Sequence, residues 1–159
     1  MSFHIGDHVM HWAFGFGKVV ELETHSASHN EMVHYVVQVD DMKIWVPEDE
    51  MLDQRLRSPV SAQEFKHLQS ILTSPKETFP KDRILRKNMI TEILKDGSAK
   101  ALFRVVRGLA NFRKANSLND YDQALLRRVE KALIGEWGFV LAVTPSQAET
   151  DLHRMLLRD

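Results

Sequence analysis

The chain has 159 residues, 43% hydrophobic and 27% charged, which is typical of a folded globular protein and excludes a disordered or collagen-like chain. It contains no cysteine, which excludes disulfides, thiolate zinc sites and cysteine nucleophiles. The net charge of −1 conceals a split, because residues 1–75 carry 5 basic and 11 acidic side chains whereas residues 76–137 carry 14 basic and 8 acidic ones. This polarity predicts two modules with different partners, the basic module being a candidate for binding nucleic acid.

The first 50 residues have the pattern of short β-strands. Gly15–Gly17 indicates a turn, the polar stretch 24–31 indicates a hairpin loop, Asp40-Asp41 indicates a tight turn, and Pro47 stops the last strand. The predicted strands are 9–10, 18–23, 32–39 and 42–46. Strands of this length and spacing predict a small twisted sheet or a partly open barrel.

From residue 60 the hydrophobic period becomes helical, and Leu85, Met89 and Ile93, four residues apart, predict an apolar stripe on one helix. Residues 74–80, with two prolines, are predicted to be a connector. Signals for the starts of helices occur at Ser61, Pro80, Ser98, Asn119 and Thr144. The sequence therefore predicts an α+β protein, with a β module over residues 1–58 followed by a helical domain over residues 59–159.

Three functional classes are disfavoured. No apolar run approaches the ~20 residues of a membrane span, and the N-terminus lacks the basic and apolar segments of a secretory signal, so we expect a cytoplasmic protein without membrane contact. Gly15-Phe16-Gly17-Lys18 lacks the spacing of a phosphate-binding loop. No catalytic triad order or carboxylate pair is present, so we expect no enzymatic activity and no cofactor.

Histidines are concentrated near the N-terminus. Six of the eight precede residue 35: His4, His8, His11, His25, His29 and His34. On a strand, His8 and His11 point to opposite faces and would not chelate one metal ion together, and no HExxH motif is present. We therefore interpret these residues as surface or loop histidines, with a histidine-dependent metalloprotein as the weaker alternative.

Aromatic residues also cluster in the β module: Trp12, Phe14, Phe16, Tyr35 and Trp45. An aromatic cage for a methylated ammonium group is one interpretation, but a small barrel more often uses such residues in its own core. Trp45 lies between Ile44 and Val46, so alternation places it on the opposite face from them. An exposed tryptophan on a sheet is typical of a protein contact.

Basic side chains are frequent in the helical half: Lys81, Arg83, Arg86, Lys87, Arg104, Arg107, Arg113, Lys114, Arg127 and Arg128. Many of them fit a solvated helix face, and Arg86 falls within an apolar stripe, where a structural role is possible. An excess of six positive charges within 62 residues nevertheless favours contacts with phosphates.

A series of short motifs carries a resemblance to a known family. In the first half they are Phe3-x-Ile5-Gly6-Asp7-x-Val9-Met10-His11, Ala13-Phe14-Gly15-Phe16-Gly17-Lys18-Val19-Val20-x-Leu22-Glu23, Tyr35-Val36-Val37 and Met42-x-Ile44-x-Val46-Pro47. In the second half they are Asp96-Gly97, Val105-Val106-Arg107-x-Leu109, Ser117-Leu118 and Ala132-Leu133-Ile134-Gly135-Glu136. In this order and spacing, over residues 3–140, the chain resembles the CarD/CdnL-type bacterial transcription regulators.

The resemblance implies an N-terminal Tudor-like module that docks on the β subunit of RNA polymerase, a module type shared with transcription-repair coupling factors. It also implies a helical domain that contacts promoter DNA at the upstream edge of the bubble and stabilises the open complex. We expect the protein to be a monomer. Expected polymerase contacts are His25, Val37 and Trp45, although arginines in some family members correspond to His25 and Trp45 here.

The sequence departs from the family at the DNA wedge, a tryptophan about fourteen residues before the glycine that matches Gly97. An ungapped count arrives at Arg83, and Phe79 is the nearest upstream aromatic residue. The expected DNA contacts are Phe79, Lys81, Arg83, Arg86, Lys87 and Lys114. Because an apolar wedge works by partly unstacking a base step, its absence favours an alternative, a protein-only adaptor that does not contact DNA.

Overall fold

The computed structural model describes residues 2–27 and 30–158, so His29, interpreted above as a surface histidine, lies outside the described residues. The described residues divide into two compact units, a sheet unit that ends at Pro59 and a helical unit that begins at Val60. A sheet followed by helices confirms the predicted α+β class. By sequence, the residues up to 59 hold 4 basic and 10 acidic side chains, and those from 60 onward hold 17 basic and 12 acidic ones.

The described strands of the sheet unit form one antiparallel sheet in the order β4-β3-β2-β1-β5. A short helix, α1, Leu52–Arg55, separates the last two strands along the chain. The strands are β1 His8–His11, β2 Gly15–Ala27, β3 Asn30–Val39, β4 Met42–Pro47 and β5 Leu56–Arg57. Strands β4 and β5 therefore form the two edges of the sheet.

Strands β2 and β3 are longer than predicted. Most of the polar stretch expected to be a loop continues the ladder, with Thr24 opposite Val33 and Ser26 opposite Glu31. Alternating polar residues remain compatible with a two-stranded ribbon whose faces are both solvated, which is why polarity alone was misleading. Gly17 lies within β2 instead of in a turn, and a Cβ there would lie 2.6 Å from the carbonyl oxygen of Gln38.

The core of the sheet unit lies on one face of the sheet. It consists of Phe3, Val9, Val19, Tyr35, Val37, Val39, Val46, Leu52 and Leu56. A bulge between Val19 and Glu21 shifts the register of β2, so that Val19 stays opposite Val37 while Glu21 pairs with Val36. The Tyr35 hydroxyl fixes the N-terminal segment by accepting a hydrogen bond from the Phe3 amide at 3.3 Å and donating one to Glu48 at 2.6 Å.

The helices of the helical unit begin at polar caps. The described helices are α2 Ala62–Leu68, continued by a 3₁₀ turn Gln69–Thr73, α3 Arg83–Leu94, α4 Ala99–Ala115, α5 Asp120–Val140 and α6 Pro145–Leu156. Four predicted caps are confirmed, since Ser61, Ser98, Asn119 and Thr144 each accept a backbone amide hydrogen bond. Pro80 does not open a helix, because Asp82 caps α3 instead.

An aromatic cluster organises the core of the helical unit. The rings of Phe65, Phe103 and Trp137 lie 5.1 to 6.5 Å apart between centroids, in tilted or edge-to-face pairs. The first residue of the unit is anchored beside this core, because the Val60 amide donates to the fully buried carboxylate of Glu136 at 3.0 Å. The helical unit is therefore structured from its first residue.

Candidate partner-binding surfaces

One face of the sheet carries a cluster of polar and aromatic side chains opposite the core. We call it the outer face and define it as Glu23, His25, Met32, His34 and Trp45. Cross-strand pairing brings these residues to the same side of the sheet. Glu23 lies opposite His34, and His25 lies opposite Met32. Trp45 pairs with Val36, which is two residues after His34 on β3 and therefore on the same face. The outer face therefore spans β2, β3 and the edge strand β4.

Glu23 connects the two ends of the outer face. Its carboxylate accepts a hydrogen bond from the indole Nε1 of Trp45, and the same oxygen lies 3.9 Å from Nε2 of His25. Trp45 remains 49% exposed even though its nitrogen is paired. The indole is thus held in one orientation on an edge strand while much of its apolar surface stays available to a partner.

His34 lies at the centre of the outer face. Its ring meets the ring of His25 edge to face, with the centroids 4.6 Å apart. Within the described residues, its Nδ1 is the buried side-chain atom for which no hydrogen-bond partner is present. Such unsatisfied atoms are uncommon in folded proteins, so the hydrogen bonding of the outer face is incomplete at His34.

The structure brings together two of the three expected polymerase contacts. His25 and Trp45 share the outer face and are linked through Glu23. Val37 does not belong to this surface, because it is fully buried in the core of the sheet unit and lies on the interior strand β3. Glu23 and His34 were not identified from sequence, since their proximity depends on the register of the long β2–β3 hairpin.

The comparison with known families decides the identity of the sheet unit. Residues 3–60 match the family model described as the CarD-like/TRCF RID domain. The sheet unit is a CarD-like RID domain. Such a domain is Tudor-like and of the RNA polymerase-interacting type, which gives the chain a role connected with transcription. No curated protein matches the chain.

The RID domain has an available edge as well as an outer face. Among the described strands, β4 pairs with β3 alone, so the other side of its backbone forms an edge of the sheet. Trp45 therefore lies on a strand edge that can accept a further strand, whereas His25 lies on β2, two strands away. The aromatic residues of the β1–β2 turn differ from expectation, because Trp12 is 64% and Phe14 46% exposed and neither belongs to the core.

Outside the RID domain, the structure does not support Phe79 as a DNA wedge. Phe79 is only 7% exposed and belongs to the core of the helical unit. Its ring fills the space left by the missing side chain of Gly108, where an added Cβ would lie 2.3 Å from the ring. Insertion between base pairs would require this ring to leave the core.

Arg86 is likewise a structural residue. It forms a buried ion pair with Asp122 at 2.8 Å, and its Nη1 donates to the carbonyl oxygens of Pro80 and Lys81. The guanidinium also lies 4.4 Å from the centroid of the Phe112 ring. With its donors used and 3% of its surface exposed, Arg86 is not available to a phosphate, in agreement with its position in an apolar stripe.

Three of the expected cations remain on the surface around the start of α3. We define the α3 patch as Lys81, Arg83, Ile84, Leu85 and Lys87, all of which are exposed. Ile84 and Leu85 expose 63% and 59% of their surface, although Leu85 was expected on the buried stripe. The buried positions of α3 are Arg86 and Ile90. The patch therefore combines two apolar side chains with flanking positive charges.

Lys114, the remaining expected DNA contact, lies on a different element. It is exposed in the last turn of α4, beside Arg113. A cation at this position also stabilises the helix through its interaction with the C-terminal dipole. The location of Lys114 therefore fits a structural role as well as phosphate binding.

Residues 2–27 and 30–158 contain no group of three His, Asp or Glu side chains arranged to hold a metal ion. In the same part of the chain, no helix is both long enough and apolar enough to cross a membrane.

Proposed function

We propose that the chain is a non-enzymatic, cytoplasmic transcription regulator that acts as a monomer on RNA polymerase. It docks on the β subunit through the outer face and the β4 edge, and its α3 patch contacts promoter DNA near the upstream edge of the bubble, which alters the stability of the open complex. The observation that carries this proposal is the RID match over residues 3–60, together with the exposed Trp45 on an edge strand.

Docking would combine main-chain and side-chain recognition. Strand addition to β4 supplies hydrogen bonds that do not depend on sequence, and the side chains of Trp45 and His25 then supply specificity. A half-exposed tryptophan is a frequent source of binding energy, because its large apolar area is released from water when the partner binds. The CarD/CdnL resemblance supports the β subunit of RNA polymerase as the partner of this surface.

The distribution of charge fits different partners for the two units. With 10 acidic and 4 basic side chains, the RID domain would be repelled by DNA, whereas the helical unit, with 17 basic and 12 acidic ones, would be attracted to it. Lys81, Arg83 and Lys87 are exposed within one short stretch of the chain, from which they would contact phosphates. Polymerase would thus hold the protein in place while the helical unit reaches the promoter.

Ile84 and Leu85 offer a replacement for the missing aromatic wedge. Minor-groove proteins insert isoleucine, leucine and methionine as well as aromatic residues between base pairs. Both side chains are largely exposed and lie between Arg83 and Lys87 in the sequence, so phosphate contacts on either side would direct them toward the bases. We assign them the wedge role instead of Phe79.

A binding assay with purified β subunit tests the polymerase half. Trp45→Ala is expected to weaken binding by about tenfold or more, as is usual for a central aromatic contact. Trp12→Ala is the matched control, because Trp12 is a second exposed tryptophan of the RID domain that lies outside the outer face. Equal losses in the two variants, or full binding by Trp45→Ala, would contradict the proposed docking surface.

The second candidate is the protein-only adaptor, which is favoured by the burial of Phe79. Charge reversal of Lys81, Arg83 and Lys87 to glutamate separates the two candidates. A regulator that contacts DNA would lose affinity for a duplex containing a bubble and retain β-subunit binding, whereas an adaptor would show no change with DNA. Reversal of Lys66, Lys100 and Arg158, which are exposed residues outside the patch, controls for net charge.

A further inference from the structure

A cleft in the helical unit is not used by the proposed function. It has a volume of about 640 Å³ and lies between the end of α4, the α4–α5 loop, the first half of α5 and the end of α6. None of its lining residues belongs to the α3 patch. Its lining is mixed, with apolar and cationic side chains.

The apolar part of the cleft is formed by leucines. Leu126 and Leu156 are almost fully buried, whereas Leu157, just beyond α6, is 82% exposed and is the most exposed large apolar side chain among the described residues. Leu118, from the α4–α5 loop, completes this lining. A leucine exposed to this extent beside further apolar surface is typical of a contact that a partner covers.

The charged part of the cleft is formed by cations without partners. Arg113 and Arg127 line the cleft, and neither forms a hydrogen bond or an ion pair with any residue that the structure describes. The acidic residue of the lining, Glu130, faces His153 with its Oε2 3.6 Å from Nε2. Two unpaired arginines therefore give the cleft a net attraction for carboxylates.

We propose that this cleft binds a short segment of a second protein that carries acidic and leucine-like side chains. An amphipathic segment would lay its apolar side chains against the leucines, as in helix-in-groove recognition, and its carboxylates would pair with the two arginines. Phosphates of DNA would use the arginines but not the leucines. A small molecule would lack enclosure, because Arg113, Arg127, His153 and Leu157 are all exposed. The proposal extends the proposed function by a second protein contact and does not depend on it.

The test uses the full chain and a synthetic peptide of twelve residues in which pairs of leucine and pairs of glutamate alternate. Titration is followed by ¹H–¹⁵N NMR, and a peptide with glutamine in place of glutamate serves as the ligand control. We expect saturable shifts at Leu118, Arg127 and Leu157 with the acidic peptide. The glutamine peptide is expected to bind at least about tenfold more weakly, because the charge-assisted hydrogen bonds are lost.

Variants of adjacent residues locate the site. The double change Arg113→Glu and Arg127→Glu is expected to weaken binding of the acidic peptide by about tenfold or more, and Leu157→Asp by about fivefold. Arg128→Glu is the matched control, because Arg128 neighbours Arg127 on α5, is exposed and does not line the cleft. Its affinity should remain within about twofold of that of the unmodified chain.

Three results would overturn the proposal. The first is the absence of saturable binding by the acidic peptide. The second is a loss of peptide affinity in the Arg128→Glu variant equal to that in the Arg113/Arg127 variant. The third is a loss of affinity for bubble-containing DNA in the Arg113/Arg127 variant while its peptide binding is unchanged. The last result would assign the cleft to the DNA surface. The Trp45 and α3-patch variants test the proposed function separately, so its failure would be distinguished from a failure here.

Discussion

Glu23 accepts a hydrogen bond from the indole nitrogen of Trp45 across the intervening strand β3. Trp45 is on the edge strand and Glu23 is on the interior strand β2, so the orientation of the exposed indole is set by a residue two strands away. The outer face is therefore organised before any partner binds. Such preorganisation reduces the entropy that a side chain loses on binding.

Removal of this carboxylate should weaken polymerase binding without unfolding the protein. For Glu23→Ala we expect about three- to tenfold weaker binding to the β subunit. The reason is that an exposed hydrogen bond to a charged group stabilises the bound orientation of the Trp45 indole by ~1 kcal/mol. The measurement is affinity for purified β subunit, with thermal melting as the check on folding. Glu31→Ala is the control, since Glu31 is an exposed carboxylate of the adjacent strand whose pairing with Ser26 puts it on the opposite face from Glu23, and an equal loss there would contradict the positioning role.

Replacement of the apolar pair on the α3 patch should reduce discrimination between open and closed DNA. For the double variant Ile84→Ser and Leu85→Ser we expect the preference for a bubble-containing duplex over a closed duplex to fall by roughly tenfold, because a polar side chain does not stabilise an unstacked base step. Fluorescence anisotropy at one fixed salt concentration measures both affinities. An unchanged ratio would show that the patch contributes charge alone.

Loss of the buried arginine should destabilise the helical unit. Arg86→Ala leaves the Asp122 carboxylate buried without its partner, so we expect the free energy of unfolding to fall by about 3–5 kcal/mol. Arg83→Ala, three residues earlier and exposed, is expected to change the free energy of unfolding by less than about 0.5 kcal/mol. Urea denaturation followed by circular dichroism measures both values. Equal stabilities would exclude a structural role for the ion pair.

His11 should make the RID domain sensitive to acid. Burial lowers the pKa of His11 from 6.5 to about 4, and its Nδ1 accepts hydrogen bonds from the amides of Ala13 and Phe14 at 3.1 and 3.2 Å. The unfolded chain binds a proton at His11 near pH 6.5, whereas the folded chain binds it only near pH 4. The contribution of His11 to the free energy of unfolding is therefore complete above pH 6.5 and is lost as the pH falls toward about 4.

Urea midpoints at pH 7 and pH 4.5 measure this dependence. His11→Gln is expected to be less stable at pH 7 but to show a smaller difference between the two pH values, because the titrating group is absent. His4→Gln, at a largely exposed histidine, should retain the difference shown by the unmodified chain. The same pH dependence in the His11 variant would exclude His11 as its origin.

Much of the fold was predictable because local signals and tertiary structure agree. The side chains of Ser61, Ser98, Asn119 and Thr144 act as the caps that their sequences indicate. The position of Trp45 on the other face of β4 followed from the alternation of a strand. These features depend on residues that are close in sequence.

The errors concern residues whose environment depends on distant parts of the chain. Phe79 occupies space created by Gly108, and Arg86 is paired with Asp122, so neither role is evident from neighbouring residues. The apolar stripe predicted on α3 included Leu85, but burial follows the turn that contains Arg86 and Ile90. Likewise, the contact between Glu23 and Trp45 requires the pairing of three strands.

The link between the sheet unit and the helical unit is short, which affects how the polymerase and promoter contacts would cooperate. Strand β5 ends at Arg57 and Val60 is already anchored to Glu136, so two residues, Ser58 and Pro59, connect the described elements of the two units. A tether of this length keeps the local concentration of the second unit high once the first has bound. In the proposed complex, a promoter contact too weak to detect in dilute solution would therefore be occupied whenever polymerase holds the RID domain.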